Sequence, residues 1–548
     1  MILILILAFI CFACDGGSGS SVTSGTPKTN FVIVLTDDQR WDTLWAMPIT
    51  QDKLEYQGVR FNNAFVSAPI CSPTRAGLLS GGLYAHNTGI LTNTYPNGGA
   101  KGFHDTETLA TRLQNVGYKT ALIGKYLNGY DELAPYIPPG WTKFVVKISG
   151  IKNPFYVVGS SGAEPAQGDI VGPIEGYDTD FFKDRALEFL DQNSDSPFFL
   201  LLSTNAPHYP ALPARGDKYS FSDFVYRDRA YGEVDLSDKP GWVRRDASDY
   251  SDHFGSVEQE DEFHRDQLRS LQAVDRSVGE IIEKITEIGK LNQTMFFFSS
   301  DNGYMWGEHR LFKKEKPYEE SIRVPFLVVM PGIASRTYDH LVSVDIDIGS
   351  TVVDVVGLSI KTDGLSLIPL LENSDTAWRE ELLIQMFGCG DPKNTWAGLR
   401  TKEGVEEWKY VEYSTGEIEF YDLLNDPYEE ESKHNDPDYQ DIIAEFASHL
   451  APLKGLNLFS WQQPPEGRVG EQYSFQLKAW GGEKPYTWRI IYGQLPEGLF
   501  LDTSTGFITG IPIWAEDQKV RIKIEDSSIA KHTGMPQSCI RDYNFTIK

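Results

Sequence analysis

The sequence predicts an α/β domain with a mostly parallel sheet over residues 30–370, a small α+β subdomain over 371–458, and a β-sandwich over 459–548. Three observations predict it. Short, continuous apolar runs rich in β-branched residues recur through the first part of the chain, and each reads as a parallel strand buried on both faces. Helical periods lie between those runs. Beyond about residue 460 the helical period vanishes, and Pro, Gly and aromatic residues punctuate short strand-like runs.

The elements follow in order. Ile2 to Ala13 is an apolar run too short to cross a bilayer as a mature helix, so residues 1–29 read as an export signal and tether. Ala13-Cys14, followed by DGGSGSSVTSG, resembles a bacterial lipoprotein signal with Cys14 as the acylated residue, although Cys11 stands where that pattern prefers Leu. The chain is therefore expected to be exported, as a periplasmic, cell-surface or secreted protein, with a lipid anchor as one form.

NFVIVLT before Asp37 is the first predicted strand. YKTALIG before Lys125, PFFLLLST before Asn205, TMFFFSS before Asp301 and Val324 to Gly332 are the next four. TETLATRLQNVG reads as a helix capped by Thr106 and stopped at Gly117, and FHRDQLRSLQAVDRSVGEIIEKITEIGK reads as a longer one. WKYVEYSTGEIEFYDL alternates around a Thr-Gly turn as an antiparallel hairpin, and IIAEFASHLAPL closes that subdomain. In the last segment, LPEGLFLDTSTGFITGIP resembles the core of Ig-like modules of extracellular bacterial proteins, and is read as a spacer or packing module.

A net charge of −27 excludes broad electrostatic capture of nucleic acid, and equally of sulfated polymers, so any anion site must be a local basic pocket. Five cysteines form no disulfide framework. Cys11 and Cys14 belong to the signal; Cys389 and Cys539 are expected as small buried thiols, and the sequence leaves their pairing open.

Several predicted strands run directly into polar residues: Asp37 and Asp38, Lys125, Asn205 to His208, and Asp301 with Asn302. Ligands of open α/β sheets bind at the carboxyl edge of the strands, so these groups can converge. Three carboxylates and an amide oxygen suit Ca²⁺ or Mg²⁺ rather than zinc. In Cys71-Ser72-Pro73-Thr74-Arg75, Pro73 fits a first helical turn and places Cys71 at the helix N-terminus, where N–H groups favour anions. Arg75, one turn on, can fork onto a tetrahedral oxyanion.

Cys-x-Pro-x-Arg followed by AGLLSGG resembles the type I sulfatase signature, in which the Cys becomes Cα-formylglycine. TDDQR at 36–40, GKYLNGY at 124–130, NAPHYP at 205–210, SDNGY at 300–304, GEHRLFKK at 307–314, YEESIRVP at 318–325 and YDLLNDPYE at 421–429 also resemble sulfatase segments, in family order. The resemblance spans residues 30–450 and implies an alkaline-phosphatase-like fold. It implies a divalent ion, Ca²⁺ with Mg²⁺ as the alternative, held by Asp37, Asp38, Asp301, Asn302 and formylglycine 71. It further implies that Arg75, Lys125, His208 and Lys314 surround the sulfate. Lys314 is preferred to Lys313 because it stands four residues before Tyr318-Glu319. His309 and Arg310 are expected in the substrate wall, and His86 in packing support. Many sulfatases carry a His two residues after the first lysine; here that residue is Leu127, and GKYLN resembles the glucosamine-6-sulfate sulfatases instead.

The resemblance thus implies hydrolysis of sulfate esters on a glycosaminoglycan or algal polysaccharide, after maturation by a formylglycine-generating or anaerobic sulfatase-maturing enzyme. A phosphodiester or phosphonate hydrolase on the same fold is the nearest alternative, and a non-catalytic glycan-binding surface protein the next. Specificity is expected from residues 130–180 and the acidic stretch 215–262.

Overall fold

Asn30–Thr36 forms β1, and its side chains divide between two cores: Phe31, Ile33 and Leu35 enter one, Val32 and Val34 the other. That division is why the run is apolar without alternation. The computed structural model describes residues 28–149, 154–248, 254–389, 391–458, 462–530 and 532–548. The signal segment, Cys14 and the tether lie outside them.

In chain order the large sheet comprises β1, β2 (Val59–Phe61), β3 (Lys119–Gly124), β4 (Lys143–Ser149), β5 (Phe155–Gly159), β6 (Asp169–Val171), β7 (Phe198–Ser203), β8 (Thr294–Ser300), β9 (Leu327–Val329) and β10 (Arg336–Tyr338). These ten strands are ordered β10-β2-β9-β8-β1-β7-β3-β4-β5-β6. The centre, β8-β1-β7-β3-β4, is parallel. The expected fifth strand is present as β9, but it is antiparallel to β8, and β5 and β6 are antiparallel hairpin additions. The sheet is therefore mixed. Residues 301–326 join β8 to β9 with no helix longer than Glu319–Ile322, so no helical crossover lies across the sheet between them and β9 returns antiparallel.

Helices cover both faces. On one side α1 (Cys71–Leu79) packs against α5 (Val344–Val356); on the other α3 (Asp178–Gln192) packs against α4 (Val257–Glu287). Between α1 and α3 in the chain lies α2 (Leu109–Asn115). Thr108, not Thr106, caps it: the Thr108 hydroxyl accepts from the Thr111 amide while the Thr111 hydroxyl accepts from the Thr108 amide, a reciprocal pair that Thr106 is too early to form.

Four antiparallel strands follow, β11 (Glu381–Met386), β12 (Trp396–Glu403), β13 (Glu406–Tyr413) and β14 (Ile418–Asp422), with α6 (Gln440–Leu450) packed on them. The last segment contains two three-stranded antiparallel sheets facing each other around Trp488, Val520, Ile522 and Tyr543. Its core is continuous with Ala85, Leu91 and Phe387 of the preceding domains, so the module is packed onto them. Asn97 fixes the seam by donating to the Ile540 carbonyl and accepting from its amide, both at 2.7 Å. Cys389 and Cys539 are free thiols in contact across the same seam, Cys389 half-buried and Cys539 fully buried.

Candidate active site

The carboxyl edge of the parallel strands gathers the site. The turn after β1 delivers Asp37 and Asp38, both buried, and Asp38 takes a left-handed backbone with φ 68°. That conformation is costly for a residue with a Cβ and is held here by the surrounding structure. The turn after β8 delivers Asp301 and Asn302, fully buried beside it. The Asn302 amide donates to Asp38 Oδ1 at 2.7 Å, and the Asp38 backbone amide donates to Asp301 Oδ1 at 3.3 Å.

Lys125 leaves β3 through Gly124, whose φ is +124°. A Cβ there would stand 1.7 Å from the Ser203 carbonyl oxygen, so only glycine lets β3 and β7 close while Lys125 turns inward. Its ammonium then pairs with Asp37. His208 follows β7; its ring Nδ1 lies 2.7 Å from the Tyr209 carbonyl, which leaves Nε2 directed at Asp38 Oδ2, 3.7 Å away.

Cys71 begins α1, with Pro73 in the first turn. Its Sγ is fully buried, 3.6 Å from Asp37 Oδ1 and 2.8 Å from Lys314 Nζ. Burial pushes this thiol up to about 11, partly offset by Lys125 and Lys314, so it stays protonated near neutrality. Lys314 also pairs with Asp38. Arg75 donates through Nε to Asp301 Oδ2 at 2.7 Å and through Nη1 to Ser203, while Nη2 has no hydrogen bond. Burial raises the Asp37 carboxyl, but Lys125, with His208, Lys314 and Arg75, outweighs it and holds that group below the ordinary carboxylate range.

This donor set fits a divalent ion. Ligand atoms of Asp37, Asp38, Cys71 and His208 all lie within 4.8 Å of one another. Among the described residues the buried Asn302 Oδ1 has no hydrogen-bond partner, and the Lys125 and Lys314 ammoniums occupy the carboxylates that a cation would share. Asp301 lies beside them with Oδ2 committed to Arg75.

Arg310 joins Lys314 in the wall of a cavity of about 1090 Å³ that also includes Asp246, Phe254 and Gln259. A second lobe of about 730 Å³ continues from His208 and Tyr209 past Lys125, Leu127, Lys147 and Tyr177. The segments 130–180 and 215–262 thus each contribute to a lobe. His309 does not line either. It is fully buried, its Nδ1 paired with Glu233 at 2.5 Å and its ring against Tyr318, because the left-handed backbone at 309 turns it inward. His86 packs against Tyr84 and bonds Gln385.

Three supporting residues carried no sequence signal of their own. Ser203, the last residue of β7, accepts from Arg75. Asn93 accepts from the Ser72 amide at 2.8 Å and Asn128 accepts from the Ser72 hydroxyl at 2.9 Å, which satisfies the start of α1. Asn128 stood inside the quoted GKYLN segment; Asn93 and Ser203 are ordinary loop and strand-end residues until the fold brings them in.

The Sulfatase family profile matches residues 29–358, the N-sulphoglucosamine sulphohydrolase C-terminal profile 307–455, and an Ig-domain profile 457–536. Human N-acetylglucosamine-6-sulfatase is 30% identical over 471 residues, covering 77% of this chain and 83% of that protein. The arylsulfatase of Chlamydomonas reinhardtii is 30% identical over 492 residues, covering 77% and 74%. The solved structure of BT4656 with its substrate D-glucosamine-2-N,6-O-disulfate superposes with a TM-score of 0.65 at 22% identity, covering 77% of this chain and 97% of the other. The phosphonate monoester hydrolase of Agrobacterium radiobacter gives 0.59 at 20% identity, covering 77% and 95%. The two structures establish the shared alkaline-phosphatase-like fold; the family profile and the relatives at 30% identity go further, and the chain belongs to the sulfatase family of sulfuric ester hydrolases.

Proposed function

We propose that the chain hydrolyses sulfate monoesters on a carbohydrate, a glycosaminoglycan or an algal sulfated polysaccharide, with Cys71 converted to Cα-formylglycine. Asp37, Asp38, Asp301, Asn302 and residue 71 would hold Ca²⁺, with Mg²⁺ as the alternative. The observation that carries this reading is the placement of Cys71: buried at a helix N-terminus, with the carboxylates of Asp37 and Asp38 and the Lys314 ammonium around its Sγ. The relatives' names favour a sulfated sugar: human N-acetylglucosamine-6-sulfatase and the structure holding a glucosamine disulfate.

When present, the aldehyde hydrate would supply a nucleophilic oxygen and a second hydroxyl on the same carbon, and the divalent ion would neutralise negative charge on nearby oxygens. The chain's own groups do the rest. Arg75, Lys125 and Lys314 balance Asp37, Asp38 and Asp301, so a divalent ion leaves the pocket with a surplus of positive charge suited to a sulfate group. The Nη2 of Arg75, 3.9 Å from Asp37 Oδ2 and without a hydrogen bond among the described residues, is a donor available to a sulfate oxygen. His208 keeps Nε2 toward the site by bonding the Tyr209 carbonyl through Nδ1, and in its protonated form can deliver a proton to the departing sugar oxygen.

In this reading the chain is exported, with Cys14 as a candidate lipid anchor, and depends on a formylglycine-generating or anaerobic sulfatase-maturing enzyme. No described helix is long and apolar enough to cross a membrane. Cys71→Ser tests the chemistry. Serine offers one oxygen on its carbon where a hydrate offers two, so the variant should fold, melt like the parent and release no sulfate over repeated turnovers. Parent-like turnover in that variant would overturn the proposal.

A further inference from the structure

The larger lobe carries cations that the reaction centre does not use. Arg310 and Lys313 line it, and among the described residues neither side chain has a carboxylate, hydrogen-bond or ring partner. Every acid in the same wall is already engaged. Asp38 pairs with Lys314, Asp246 with Lys393 at 3.2 Å, and Glu315 accepts from Asn394 at 3.1 Å beside Lys316. Lys316 itself lies over the Trp242 ring. Two uncompensated positive charges therefore face one cavity of a protein whose net charge is −27.

The backbone that presents them is strained. His309, Arg310, Lys313 and Glu315 all have φ between 52° and 73°, four left-handed non-glycine residues within seven positions. A stretch in which that conformation recurs holds side chains where an unstrained turn would not put them, and such strain concentrates at binding sites. The same turn sends His309 inward and Arg310 to the cavity, and places exposed Lys313 beside the half-buried Lys314 of the reaction centre.

From this geometry we infer that Arg310 and Lys313 form a second anion subsite, which takes a sulfate or carboxylate on the substrate other than the ester being cleaved. The inference rests on the sulfatase reading of the adjacent centre. The remaining wall suits a sugar: Tyr209, Phe254 and Phe312 offer ring faces, and Gln259 offers an amide. A guanidinium and an ammonium in one cavity wall select for negative charge, and the open lobe admits a saccharide larger than the one bearing the reacting ester.

Binding measured in a Cys71→Ala background, with calcium present, separates this subsite from turnover. The probes are three disaccharides with the same reactive-position sulfate: one with no other anion, one with a second sulfate, one with a uronic acid carboxylate. At least one of the two dianionic probes should bind about 10-fold more tightly than the monosulfated one, and the preference should shrink as salt is added. Arg310→Gln with Lys313→Gln should bring the affinity ratio close to one, and Lys313→Gln alone, at an exposed position, should lower it partway. The arm that shows the preference identifies the anion. A ratio near one in the parent, or a ratio that survives both substitutions, overturns the subsite. Sulfate release by the formylglycine-bearing enzyme is scored separately: a charge-dependent binding preference without sulfate release would overturn the catalytic reading and leave the subsite standing.

Discussion

Lys314 Nζ lies 2.8 Å from Cys71 Sγ, although 243 positions separate the two in sequence. The contact exists because α1 starts at the carboxyl edge of the sheet and the strained turn after β8 returns to the same edge. The same ammonium reaches Asp38, so it bridges residue 71 and a carboxylate of the proposed metal site.

Removing that ammonium takes away one fixed charge aimed at the reacting group. Lys314→Gln should lower kcat by about 10²–10³-fold in the formylglycine-bearing enzyme, as deletion of a preorganised stabilising donor does elsewhere. Steady-state sulfate release checks it, and a loss below tenfold would place Lys314 outside the chemistry.

A site that binds an ion only when folded must report that ion as stability. Calcium at about 100 times its dissociation constant should add about 2.7 kcal/mol to unfolding, read as a rise in Tm that chelator reverses. Asp38→Ala should abolish the shift. An equal calcium effect in the variant would move the ion elsewhere.

His264 predicts a loss of stability in acid. It is fully buried on α4, stacked on Trp306 at 4.6 Å, and among the described residues neither ring nitrogen has a hydrogen-bond partner, Glu260 Oε1 standing 4.0 Å from Nε2. Burial pushes it down to about 2, with Arg40, Arg227 and Arg265 adding to the effect. The unfolded chain therefore binds the extra proton, and the stability present above the ordinary histidine range is lost as pH falls from about 6.5 toward that depressed value. Between pH 7 and pH 4 this one group should cost about 3 kcal/mol. His264→Phe, which preserves the stack, should flatten that part of the pH–stability curve; unchanged slopes would contradict it.

The C-terminal module should behave as part of one folding unit. Asn97→Ala deletes both bonds to Ile540 and leaves its backbone groups unpaired at the seam, which should cost about 1–3 kcal/mol. The catalytic domain and module should still melt together because Leu91 and Phe387 share the module's core. Two separated transitions in the parent would instead show a tethered spacer.

Much of this was legible in the sequence, and for physical reasons. A strand buried on both faces cannot hide its apolar run, so β1, β3, β7 and β8 could be read directly, and their polar ends pointed to Asp37, Lys125, His208 and Asp301. The antiparallel course of β9 was not legible, because an apolar run carries no direction. Neither was the inward turn of His309: it depends on left-handed backbone at residues whose identity does not announce it. Asn93 and Ser203 acquire roles only from long-range contacts with α1. The seam built on Asn97 was equally hidden, since its partner Ile540 is 443 positions away.

The most direct test of the central claim is the mass of the peptide spanning Cys71, taken from protein made in a host with the maturation enzyme. Replacement of the thiol and one hydrogen by oxygen lowers that mass by ~18 Da, and the aldehyde so formed is what hydrate chemistry at this position requires. Formylglycine chemistry at residue 71 predicts that shift, and sulfate release that tracks the modified fraction. An unmodified thiol in protein that still releases sulfate would contradict it.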